Sequence, residues 1–186
     1  HLMEEYFSGD DDNTSDYLLE GLMRSLVHSA RQALKNQEDY EARSNIMWCA
    51  TMALNTITGL SKEQDWEVHM IEHQIGAYTD CAHGAGLAAI SVPYYQYVSP
   101  FGLSKFARFA KTVWEIDTSH MTGQEAADAG IEKLRGFIEE LGLPLHISEL
   151  GATREMLPEI AKSTIPGGAY KQMNAEDILK VLEKSF

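Results

Sequence analysis

"WEVHMIEHQIGAYTDCAHGAGLAAISVPYYQYVS", residues 66–99, packs three of the chain's seven histidines into fifteen positions and then runs on as a long apolar segment. His69 and His73 stand four apart, so on a helix they share one face about one turn from each other. Gly76, Asp80, Gly84 and Gly86 argue against one unbroken helix as far as His83. A turn around "TDCAHG" instead presents His83 at the start of a second helix, where glycines let backbone and ligand come close. A pocket between two helices with imidazoles on both walls suits a divalent cation. The same stretch contains H-x-x-E-H, the inverted zincin pattern, with Glu72 as its general base. That five-residue match stands alone, because no strand-like segment is present to hold a peptide substrate. His28, His120 and His146 are isolated and read as ordinary surface or satisfied residues.

Outward from this stretch, helical periodicity dominates and no alternating segment of useful length occurs. "HLMEEYF" opens the chain in helix-like sequence, and "SGDDDNTSD" reads as a solvated loop. That loop lacks EF-hand logic, with Ser15 and Gly21 where the glycine and the closing glutamate belong. Tyr17, Leu18, Leu22, Leu26 and Ala30 then recur at three- and four-residue spacing. A second helix is expected from about Glu38 to Thr58, with Ile46, Ala50, Met52, Ala53 and Ile57 inward and Gly59 as its cap. "HGAGLAAISVPYYQYVS" reads as a buried helix that Pro93 kinks or breaks. Residues 104–114 form a short amphipathic helix, and "MTGQEAADAGIEKLRGFIEELG" a longer one, with Thr122 and Glu125 spaced as a capping box and Gly142 past its end. After the connector "GLPLHISELG" come a short helix over 153–161 and a last one, "NAEDILKVLEKSF", capped by Asn174. The expected fold class is all-α: one bundle-like domain of roughly eight helices spanning residues 1–186.

Composition narrows the function. The chain has 186 residues and a formal net charge of -13, and its 15 Lys and Arg form no run, which excludes a nucleic-acid partner. No apolar run is long enough to span a membrane. Cys49 and Cys81 are too few for a disulfide scaffold, read as buried free thiols, and fit a reducing, cytoplasmic setting. "IPGGAYKQ" is a lone Gly-Gly before a helix and reads as a turn.

The wider pattern resembles the iron-dependent alcohol dehydrogenases, in particular their butanol dehydrogenase branch. "HMIEHQIGAYTDCAHGAGLA" carries two histidines fourteen apart and a third four after the first. "NIMWCATMALNTITGL", "HGAGLAAISVPYY" and "GLPLHISELG" with "AEDILKVLEKSF" resemble the helices around that site and the end of the family's chain. The resemblance implies His69 and His83 as metal ligands and His73 as a further pocket histidine. "HLMEEYF" resembles the segment that begins at the histidine of the family's Asp-x-x-x-His pair, which makes His1 the third ligand and puts the Asp four residues upstream of it. A remnant of an expression tag is the competing origin of His1, and the register with "MEEYF" favours the ligand.

What the resemblance implies about activity is NAD(P)-dependent alcohol oxidation or aldehyde reduction, with Fe(II) or Zn(II) as Lewis acid on the substrate oxygen. His73 would line the substrate and nicotinamide pocket and relay a proton. The family's glycine-rich nucleotide-binding domain has no counterpart in these residues. This chain would therefore be the metal-binding C-terminal domain of a longer enzyme, inactive alone, whose parent is expected to dimerise. The rival class is a non-catalytic helical interaction module or structural-metal domain. Trp66, Tyr78, Tyr94 and Tyr95 are at helical spacing and read as core or rim before pocket.

Overall fold

The computed structural model describes residues 1–9 and 14–186, and every regular element among them is helical. There are nine α-helices among the described residues: α1 (Leu2–Tyr6), α2 (Thr14–Lys35), α3 (Tyr40–Ala53), α4 (Glu67–Thr79), α5 (His83–Val98), α6 (Leu103–Thr112), α7 (Gly123–Glu140), α8 (Leu157–Ser163) and α9 (Ala175–Lys184). Single 3-10 turns cover Ser99–Phe101 and Ile147–Leu150.

Local chemistry starts several of these helices. Asp39 caps α3 by accepting from the Ala42 amide at 3.0 Å. Thr122 and Glu125 form the expected reciprocal box on α7, with bonds of 3.2 and 2.7 Å, and Gly142 takes a φ of +69° beyond its end. Asn174 accepts from the Glu176 and Asp177 amides at the start of α9. Each of these bonds satisfies an amide that the helix itself leaves open.

Packing then arranges the helices around α5, which lies against α4, α7 and α9. Its residues Ala89, Ile90, Val92, Tyr94 and Tyr95 are almost wholly buried. Phe7, at the end of α1, stacks on Phe106 of α6 with centroids 4.0 Å apart and meets Tyr95 at 4.9 Å. That aromatic cluster anchors α1 deep in the core and so places His1 beside α4.

Several expectations are corrected. Of the two alternatives at Pro93 the break does not occur: α5 runs on through it, inside a segment packed by neighbouring helices. α3 stops at Ala53 rather than Thr58, and Ala50 and Ile57 are exposed. Gly59 is no helix cap: it lies six residues past the end of α3, where a Cβ would stand 2.3 Å from Gln64 Nε2 and 2.9 Å from Glu5 Oε1 and those side-chain ends would have to shift. Tyr17 and Leu18 face solvent, while Leu19 and Met23 form the inward stripe of α2. α8 begins at Leu157, not near Thr153. Residues 10–13 of the expected polar loop lie outside the described residues, but Ser15 and Asp16 belong to α2 and are buried. Asp16 sits between the ammonium groups of Lys62 and Lys105, each 2.5 Å from a carboxylate oxygen, which compensates its desolvation. Cys49 is buried and Cys81 half-buried, both as free thiols.

Candidate metal centre

α4 and α5 meet through the short connection at residues 80–82, with Asp80 in the left-handed region at φ +55°. That reversal brings His83, the first residue of α5, back against the face of α4 bearing His69 and His73. Ring centroids of His69 and His83 are 5.2 Å apart, those of His73 and His83 5.7 Å and stacked. His1, delivered by α1, lies 4.4 Å from His69 and 6.4 Å from His83. One nitrogen from each of His1, His69 and His83 falls within 4.8 Å of the others. All four histidines singled out in the sequence thus converge.

Two carboxylates stand behind the rings. Glu4 of α1, almost fully buried, accepts from His69 Nδ1 and, with its other oxygen, from the His69 amide at 3.2 Å. Glu72 of α4, also buried, accepts from His83 Nδ1. An ionised carboxylate only accepts, so Nδ1 is the donor in each pair, and in a neutral imidazole of that tautomer Nε2 offers its lone pair. His69 Nε2 lies 3.2 Å from His1 Nε2. Two imidazole nitrogens on one tetrahedral ion, with bonds of about 2.1 Å, stand roughly 3.4 Å apart. The donor set, its spacing and its carboxylate backing therefore fit a divalent cation with room for further ligands.

Neither carboxylate role is visible in the sequence. The sequence marks Glu72 only as the general base of H-x-x-E-H, and its carboxylate is turned away from solvent onto His83 instead. Trp66, read from sequence as core or rim, borders the histidines. It precedes α4 in the left-handed region at φ +60°, unusual for a bulky side chain. Its ring packs edge-on against His1 and His69 at 5.8 and 5.2 Å, and its indole N–H donates to Gln64. Tyr94 and Tyr95 are core residues and Tyr78 lies at the surface.

Burial is graded across the centre. His69 is 5% exposed, His1 half-buried, and His73 and His83 open to solvent. The cluster is thus open to solvent on the side of His73 and His83. Beneath the closed side, Asp65 accepts from the Glu67 amide, the Tyr94 hydroxyl and the Ala169 amide, tying the start of α4 to α5 and to the α8–α9 connection. Burial raises its pKa, although all three donors pull it back down. Glu67, wholly buried against Gly167, is pushed up to about 8 by burial and then by neighbouring Asp65, so its carboxyl is neutral near pH 7. On the other flank, His1, Met23, Cys49, Trp114 and Phe137 line an apolar cavity of about 280 Å³.

Comparison with known proteins agrees with this architecture. The family model for the C-terminal part of the Fe-containing alcohol dehydrogenases matches residues 1–186, and the chain belongs to that family. It is 32% identical to NADH-dependent butanol dehydrogenase A of Clostridium acetobutylicum over 193 residues, covering 100% of this chain and 49% of the relative. It is also 32% identical to NADPH-dependent aldehyde reductase YqhD of Escherichia coli, covering 96% and 46%. Among solved structures, NADH-dependent butanol dehydrogenase A from Thermotoga maritima superposes with a TM-score of 0.91 at 28% identity, over 98% of this chain and 48% of that one. The chain spans about half the length of the curated relatives it matches. None of its described helices is long and apolar enough to cross a membrane.

Proposed function

We propose that this chain is the metal-binding helical domain of an NAD(P)-dependent alcohol dehydrogenase or aldehyde reductase acting on small alcohols and aldehydes. Its nucleotide-binding domain lies upstream in the same parent chain, as the twofold greater length of the relatives supports. The observation that carries this reading is the convergence of His1, His69 and His83, with Glu4 and Glu72 holding the outer nitrogens of two of them. Those three imidazoles would hold Fe(II) or Zn(II), joined by a carboxylate from upstream of His1. When bound, the cation supplies Lewis-acid stabilisation of negative charge on the substrate oxygen, worth several kcal/mol.

This chain's residues do the rest. Trp66 and the buried Glu4 fix the plane and tautomer of His69, so that no reorganisation is needed when charge develops. His73 stands at the solvent edge, stacked on His83, where it can pass the proton of the substrate hydroxyl to and from water. Alcohol preference would depend on side chains shared with the upstream domain, and the choice between NADH and NADPH would be made within that domain.

Aldehyde reduction by the full-length protein tests the reading. A strong chelator should abolish it and Fe(II) or Zn(II) should restore it, with His69→Ala inactive under either metal. Activity that survives chelation, or a His69→Ala variant that keeps it, would remove the metal centre from the mechanism.

A further inference from the structure

We infer that Glu72 is a positioning residue for His83 and that Gly86 is the position that makes room for it. The inference rests on His83 being a metal ligand. Glu72 is 2% exposed, and its Oε2 accepts from His83 Nδ1 across the junction of α4 and α5. A Cβ at Gly86 would fall 2.7 Å from Glu72 Cγ and 2.8 Å from Oε1, distances no real side chain tolerates. On its other side Oε1 lies near Gly76, one turn along α4, where a Cβ would stand at 3.5 Å. The Gly76 distance is ordinary contact, so Gly86 is the glycine whose missing side chain the carboxylate needs.

His83 has particular need of such a partner. Its side chain is 49% exposed, so surrounding atoms do not hold its rotamer as they hold that of His69. The bond to Glu72 sets both ring direction and tautomer, leaving Nε2 to face His1 and His69. A general base, by contrast, needs its carboxylate open to water, and this one is enclosed. Glu72, His73 and His83 do offer three donor atoms to a second ion, but a cation there would have to replace the proton Glu72 already accepts.

The test uses the full-length protein stripped of metal and loaded with Co(II), reading stoichiometry, the visible absorption band and the rate of release to a chelator. Wild type should take up one ion at this centre, and His83→Ala should lose or greatly weaken it. Glu72→Gln and Gly86→Ala should each keep the fold but bind 10- to 100-fold more weakly with a shifted band, roughly the range typical of removing a ligand's supporting carboxylate. The double variant should be little worse than the poorer single one, because both act on one bond: Glu72→Gln removes its charge and Gly86→Ala displaces its acceptor. Gly86→Ala leaves the carboxylate chemistry in place, so it answers the question even if Glu72→Gln folds poorly. If His83→Ala loses the ion while Glu72→Gln and Gly86→Ala hold it like wild type, the inference fails and the ligand reading stands. If His83→Ala binds normally, the ligand reading itself fails. Uptake of a second ion that Glu72→Gln abolishes would make Glu72 a ligand and overturn its positioning role.

Discussion

At the scale of single residues, the molecule concentrates charge in places its sequence does not announce. Asp16 appears in the sequence as the end of a polar run, yet it is fully buried between Lys62 and Lys105. Removing the shared anion leaves two ammonium groups facing each other without the carboxylate between them. Asp16→Ala should therefore lower stability by about 3–5 kcal/mol, the usual consequence of breaking a buried pair. Chemical denaturation of the variant beside wild type measures it, and a loss below about 1 kcal/mol would show that water reaches the triad. Glu4 and Glu72 are hidden for a related reason. Their partners His69 and His83 are 65 and 11 positions away, and nothing in a carboxylate's local context says which imidazole it will meet.

At the scale of elements, the helices whose ends are legible are those closed by local signals: the side chains of Thr122 with Glu125 and of Asn174, and the left-handed backbone of Gly142. The sequence overextends α3 because the apolar periodicity continues past Ala53 while the backbone does not, turning instead through Thr56 at φ +74° to bring Gly59 under Gln64 and Glu5. The last helix carries a pH prediction. Burial alone would raise the pKa of Asp177, but Lys171, the Tyr97 hydroxyl and the Asn174 amide together hold it below its ordinary 3.8. A carboxyl with a depressed folded pKa contributes stability above its unfolded value, and that contribution is lost as pH falls through the folded one. Asp177→Asn should thus be less stable than wild type at pH 7, with the gap closing below about pH 3.8. Urea midpoints across that range decide it, and a gap independent of pH would assign the loss to the cap alone.

At the scale of the whole molecule, the fold class is readable because helical periodicity runs nearly end to end, and the clustering of His69, His73 and His83 because their spacing sits within one pair of helices. What α1 contributes is readable only through family resemblance, since His1 reaches His69 by tertiary packing around Phe7. A centre assembled from separate helices should stabilise the folded state when filled. Free Zn(II) at about a hundred times its dissociation constant should add about 2.7 kcal/mol to the stability of this domain. Thermal unfolding of the full-length protein with and without Zn(II) reads this as a rise in the domain's transition, and His69→Ala should abolish the rise. Equal shifts in both proteins would mean that zinc acts elsewhere.

The bonds of Asp65 have a consequence for the order in which the protein matures during synthesis. All the histidines of the centre have left the ribosome once residue 83 has emerged, but Asp65, just ahead of α4, still waits for the Ala169 amide made 86 residues later. The pocket is thus written early in translation and secured late. The histidines are all present before the base of α4 is fixed, and Asp65 gains its last partner only when the C-terminal connection arrives.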